Sequence, residues 1–356
     1  MRAARARAED FCARFGLAVP ILLAPMAGAC PPSLSAAVAN AGGLGACGAL
    51  LMPPAAIAAW ATEFRRQSNG SFQLNLWIPD PPPLRDPAHE TRVRGFLSAW
   101  GPSVPPEAGD AAPPDFVAQC EALLAARPPI VSSVMGLYPP DFVARLKDCG
   151  IVWFANVSTV AEALQAEAAG ADVIVAQGME AGGHRGCFDA NEAERQLVGL
   201  FSLLPAVADR VRVPVVATGG IADGRGVAAA LALGASAAQI GTAFLRCPEA
   251  RLPPAWADAL AQALPEGTML TRAFSGRAGR SVATDYVRAA AALEAPCPAP
   301  YPVQRGLTAT MRETGQKQDD LHRMQAWAGQ SAALGRAEPA GDMVRRTWED
   351  GRALIV

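Results

Sequence analysis

The stretch QGMEAGGHRG at 177–186 sets an amide, an acid, a histidine and an arginine on a glycine-rich backbone, directly after the apolar run ADVIVA. His184 is one of only three histidines in the chain. Its imidazole reads as a general base or as a hydrogen-bond donor to an anionic substrate. The plain alternative is a loop histidine that satisfies a backbone carbonyl. Glu180 reads as a structural tie for the loop, and Arg185 as an anion attractor or a solvent-facing charge. Cys187 reads as an inert thiol, since reactivity needs a lowered pKa.

Two later stretches add different chemistry. GGIADGRG at 219–226 and QIGT at 239–242 each place glycine after an apolar run, and Asp223 stands near a helix start. Glycine lets backbone N–H groups close on an anion, and a helix N-terminus adds a favourable dipole. One such loop is equally explained by a tight turn. Two in successive units favour a phosphate group.

The elements that must position these residues alternate regularly. Eight short apolar runs lie at 20–28, 43–49, 71–77, 129–136, 151–157, 171–178, 213–220 and 237–244. Helical segments between them are expected at 33–41, 54–68, 114–126, 140–149, 159–169, 192–210 and 224–233. Strands apolar on both faces and separated by helices imply a parallel sheet. Eight units over about 250 residues imply an α/β fold of the (β/α)8 barrel type, here ending near residue 264. Two stretches are surplus. Residues 79–114 are Pro-rich and poorly periodic, an ordered excursion or lid after the third strand. Residues 265–356 read as a partly helical extension that packs on the barrel and covers its active face.

Barrel active sites sit at the C-terminal strand ends, with phosphate held after the seventh and eighth strands. The glycines at 219, 220 and 241 fall in those two units. Asn75 and Gln177 are amides at strand ends. Alone, each is a strand-end cap. Opposite a phosphate site, they suit a flat heteroaromatic ring such as a flavin. Pro25, Met26 and Ala27 end the first run and could back such a ring, although a core role is usual for methionine.

Composition closes off other classes. Of 356 residues, 51% are hydrophobic and 18% charged, with a net charge of -2, so no polyanion-binding surface is implied and no nucleic-acid partner is expected. No segment offers about 18 continuous apolar residues, so no membrane partner is expected. Eight cysteines without a CxxC pair read as reduced thiols, and no metal site is expected. These features suit a soluble cytoplasmic protein, monomer or homodimer, acting on a small molecule.

Together LAPMAG, AVANAGGLGA, LNLW, QGMEAGGHRG, GGIADGRG, QIGT, SGRAGR (275–280), YPVQ (301–304) and WAGQ (327–330) resemble the nitronate monooxygenase family, formerly the 2-nitropropane dioxygenases, over nearly the whole chain. The resemblance implies an FMN-dependent barrel monooxygenase. Asn75 and Gln177 would hold the ring. Gly182, Gly183, Gly219, Gly220 and the segment Gln239, Ile240, Gly241 and Thr242 would bind the ribityl phosphate end. His184 would be the base or substrate-orienting residue. The reaction implied is oxidation of an alkyl nitronate by O2 to a carbonyl compound and nitrite. Flavin-dependent enoyl-ACP reductases share the barrel and a related GMEAGGH loop. NAD(P)H-dependent reduction of enoyl thioesters or quinones is therefore the second reading. A flavin- or phosphate-binding barrel without catalysis is the third.

Overall fold

A computed structural model describes residues 2–355. Helix α1 (Arg2–Phe15) leads into β1 (Ile21–Leu23), α2 (Pro32–Asn40), β2 (Gly45–Gly48), α3 (Pro54–Gln67) and β3 (Phe72–Trp77). Next come α4 (Pro87–Leu97), α5 (Phe116–Ala126), β4 (Ile130–Val134), α6 (Pro140–Asp148), β5 (Val152–Val157), α7 (Val160–Ala168) and β6 (Val173–Gln177). Then follow β7 (Gly183–His184), α8 (Leu200–Ala208), β8 (Val215–Thr218), α9 (Gly224–Ala232), β9 (Ala237–Ile240) and α10 (Pro254–Gln262). The remainder holds β10 (Thr268–Thr271), β11 (Gly279–Val282), α11 (Asp285–Ala290), α12 (Val303–Leu307), α13 (Ala309–Lys317) and α14 (Ala340–Ala353).

Eight strands pair in parallel in the order β1-β9-β8-β6-β5-β4-β3-β2. Parallel bridges from Leu22 to Leu44 and from Ala27 to Gly48 join the two ends into a barrel. Each of the eight apolar runs carries one strand, as the (β/α)8 pattern requires. Strand residues are buried nearly throughout because helices cover the outside and other strands' side chains fill the inside. Polar caps start several helices. Thr159 accepts from Glu162 N on α7, and Asp223 accepts from Arg225 N and Gly226 N on α9. Small residues let outer helices sit close: a Cβ on Gly224 would lie 2.4 Å from Gly351 N of α14.

Inside, the barrel is layered. Its floor is Leu22, Leu44, Ile130, Phe154, Val173 and Val216, plugged from below by Phe11 and Phe15 of α1. Phe15 meets Phe154 edge-on at 5.3 Å. That plug gives the N-terminal segment a role its basic sequence does not advertise.

Three local expectations change. The excursion 79–114 contains α4, which Asp86 caps through His89 N at 3.0 Å. Its apolar face is too short for a clear period, but Val93 and Leu97 bury against Phe274, Tyr286 and Leu307 from the extension. The helix expected over 192–210 begins only at Leu200, because Leu200 N is taken by the Glu180 carboxylate; residues 190–195 form turns instead. The extension also carries strands: β10 and β11 form an antiparallel sheet whose third member is β7.

Candidate active site

Above the apolar floor the inward positions turn polar. On β3 the period of two puts Gln73, Asn75 and Trp77 on one face. With Ser132, Asn156, Gln177, Thr218 and Gln239 they line a cavity of about 420 Å³. Pro25, Met26, Ala27, Gly182, Gly183, His184, Gly219, Gly220, Gly241 and Thr242 share its wall. Ile240 does not: its side chain is 1% exposed in the outer core, and its carbonyl accepts Ala24 N. An inward Gln239 forces its neighbour outward, so Ile240 meets the cavity at most through its backbone.

The β6–β7 loop is held by its own polar groups. Gln177 Oε1 accepts Gly186 N at 2.8 Å, and Nε2 donates to the His184 carbonyl at 3.2 Å. One amide hydrogen of Gln177 remains for anything in the cavity. Arg185 neither faces solvent nor meets the cavity. It is 4% exposed and donates to the carbonyls of Gln177, Ser158 and Gln196. Glu180 ties the loop to α8 as expected, through Leu200 N at 2.9 Å. Gly182 provides clearance for protein: a Cβ there would sit 2.4 Å from Gly329 N and 2.7 Å from Ala328 C. Gly183 differs, with φ +74° and open space where a Cβ would point.

His184 stands between the edges of Trp77 and Trp327, at ring-centre distances of 4.6 and 4.8 Å. Its Nε2 lies 2.8 Å from Ser275 Oγ. Nδ1 has no partner among the described residues. Behind Ser275, Arg277 forms a two-pronged ion pair with Asp80, at 2.9 Å on each prong. The ring lines the cavity wall, packed between the two indoles. That burial, with the nearby Arg277 and Arg305 charges, pushes its pKa down to about 3. The imidazole is therefore neutral in the free protein. The folded pKa lies below the ordinary histidine value of 6.5, so the unfolded chain binds more protons between those two values. Stability should fall as pH drops from 6.5 toward 3, and His184→Asn should flatten that part of a urea-unfolding pH series. An unchanged slope in the variant would contradict the neutral buried ring.

The phosphate-type end is built from backbone. Gly219 and Gly220 have φ of +105° and +71°. Among the described residues the N–H groups of Gly219, Gly220 and Gly241 make no hydrogen bond. The α9 N-terminus is not part of this cradle's free donors, because Asp223 takes two of its N–H groups and pairs with Arg225. The segment after α13 closes over this end. Gly329 N donates to Thr242 Oγ1 at 3.0 Å, and Ser331 Oγ donates to the Gly220 carbonyl at 2.8 Å.

The extension also brings residues that motif reasoning passed over. Arg305 directly follows YPVQ and lines the cavity, and its guanidinium has no protein partner among the described residues. Arg312 also lines it, bound to Thr308, Gln325 and a carbonyl, with no carboxylate; burial pushes its pKa down to about 10. A cavity wall carrying two arginines without counter-ions favours an anion. The alternating SFQLNLW could have revealed Gln73 as a cavity residue. Ser275 and Trp327 open the SGRAGR and WAGQ motifs, but nothing local shows that they meet His184, a contact made only by the tertiary fold. Among the described residues no cluster of ligands could hold a metal, and no helix is long and apolar enough to cross a membrane.

The sequence and the fold are similar to those of known proteins. The family model described as nitronate monooxygenase matches residues 11–350. A nitronate monooxygenase of Paraburkholderia phytofirmans is 40% identical over 92% of this chain and 91% of its own. One from Pseudomonas aeruginosa is 36% identical over 97% and 99%. Among solved structures, a nitroalkane oxidase from Streptomyces ansochromogenes superposes with a TM-score of 0.87 at 36% identity, covering 96% of this chain and 98% of that one. FabK from Thermotoga maritima is more distant, with a TM-score of 0.75 and 26% identity over 97% and 96%. The chain belongs to the nitronate monooxygenase family, a flavoprotein family of oxidoreductases.

Proposed function

We propose that this enzyme uses FMN to oxidise alkyl nitronates with O2 to a carbonyl compound and nitrite. The observation that carries the reading is one cavity combining a backbone anion cradle, inward amides, a neutral histidine and an unpartnered arginine. The donor set suits FMN. Unpaired N–H groups at Gly219, Gly220 and Gly241 match a phosphate. Asn75 and Gln177 each keep one amide hydrogen after their protein bonds, which suits ring carbonyls. When bound, FMN supplies the electron acceptor for the nitronate and passes the electrons to oxygen.

The chain's own residues do the rest. Arg305 holds the anionic nitro group. A nitronate arrives without its α proton and asks no base of the protein. A neutral nitroalkane must lose that proton, and His184 Nδ1 is the group left to take it. Trp77 and Trp327 fix the ring and exclude water. The extension from 265 onward acts as the cover of the barrel site, a reading supported by Arg305, Trp327 and Gly329 in the cavity wall. All eight cysteines are free thiols, which supports work in a reducing compartment, the cytoplasm.

Arg305→Met should raise KM for a nitronate about tenfold or more with kcat little changed, since a charge-assisted contact made in both ground and transition state is lost. Steady-state kinetics would read the split; an unchanged KM would remove Arg305 from substrate binding. The reading as a whole is tested by anaerobic reduction. Propionate 3-nitronate should bleach the visible flavin band, and NADH in parallel should not. A colourless protein that cannot be reconstituted with FMN would overturn the cofactor assignment. Bleaching by NADH alone would move the protein to the reductase reading.

A further inference from the structure

The hydroxyl of Ser275 is a proton-accounting problem with one good solution. Ser275 is 0% exposed, so its single proton must go to a protein acceptor. Three polar groups surround Oγ: His184 Nε2 at 2.8 Å, the Arg277 carbonyl at 3.2 Å and Arg277 N at 3.3 Å. Arg277 N can only donate, so it uses one lone pair of Oγ. The remaining proton can go to the Arg277 carbonyl or to His184 Nε2.

The two choices differ in what they leave unpaired. If Ser275 donates to His184, the Arg277 carbonyl has no donor among the described residues. Arg277 is itself 1% exposed, and a buried unpaired carbonyl costs about 1–3 kcal/mol. If Ser275 donates to that carbonyl, its second lone pair is free to accept Nε2–H, and all three contacts become hydrogen bonds. The second arrangement is complete and the first is not. Ring tautomers follow from such networks.

We infer that Ser275 is a positioning residue that, with the Arg277 backbone, holds His184 as the Nε2–H tautomer and leaves the Nδ1 lone pair for the substrate. The Asp80–Arg277 ion pair fixes the backbone on which the choice depends. His184 then meets its substrate as an acceptor. A neutral nitro compound finds a base, whereas a nitronate finds no donor on this ring and must rely on Arg305. The assignment of the tautomer does not depend on the nitronate reading; only its consequence for substrate does.

The test is nitrogen NMR on the full-length protein labelled at histidine with 15N. Three histidines make the spectrum simple, and His184→Asn identifies the relevant signals. Wild type should show a protonated Nε2 and an unprotonated Nδ1 at pH 7. Ser275→Ala should lose that bias and show mixed or reversed tautomers, and Ser275→Thr, which keeps the hydroxyl, should restore it. In parallel, Ser275→Ala should lower kcat for a nitroalkane about tenfold or more and leave KM for a nitronate within about twofold. A wild-type ring protonated on Nδ1 would overturn the inference. So would a folded Ser275→Ala protein with the wild-type tautomer. If the tautomer behaves as stated but neither compound reduces the flavin, the positioning role stands and the proposed function falls.

Discussion

His184→Asn should lower kcat/KM for a neutral nitroalkane by about 100-fold or more, the usual contribution of a general base. The loss for a preformed nitronate should be much smaller. Asparagine keeps a polar side chain but offers no basic nitrogen. The difference arises because only the nitroalkane has an α proton to give up. The flavin should remain bound, since the groups proposed to hold it are backbone N–H groups and amides elsewhere in the wall. Stopped-flow reduction with each compound, at matched flavin content, measures the two losses separately. Equal losses would mean that the ring orients the substrate and takes no proton. No loss with either compound would remove His184 from the chemistry altogether.

Asp80→Ala should cost about 3 kcal/mol of stability, the lower end for removing one partner of a buried pair. Arg277 is 1% exposed, and both of its prongs to Asp80 measure 2.9 Å, so the variant strands a desolvated guanidinium. Asp80 itself is 23% exposed on its side chain, which allows water to compensate part of the loss. Urea midpoints at constant slope would report the change. The double variant Asp80→Ala, Arg277→Met should recover much of it, because no buried charge is then left alone. A single-variant loss below about 1 kcal/mol would place the pair among ordinary surface bridges.

How much of this was legible in the chain depends on whether the information is local. Eight apolar runs announce eight strands because each run must bury both faces, a property of the run itself. The polar positions of the barrel mouth follow from period two, so Asn75 and Gln177 could be named from sequence. Their full hydrogen bonding could not. Gln177 spends both ends of its amide on residues 184 and 186, a fact of loop geometry. Gly182 reads as a glycine near a ligand, yet what it approaches is Gly329, 147 positions later. Helix α4 was hidden because its apolar residues answer to the extension and not to a neighbour in sequence. Arg305 sat beside a recognisable motif. Only its lack of a carboxylate partner, visible in three dimensions, makes it a candidate for substrate.

The aromatic plug under the barrel has a further consequence. Phe11, Phe15 and Phe154 close the N-terminal end, so small molecules reach the cavity from the opposite face of the barrel. An incoming nitronate and a departing nitrite, both small anions, must share the arginine-lined mouth. On the proposed role of Arg305, it cannot hold both at once. Nitrite should therefore compete with the nitronate, and turnover should run as ordered traffic, one anion out before the next comes in.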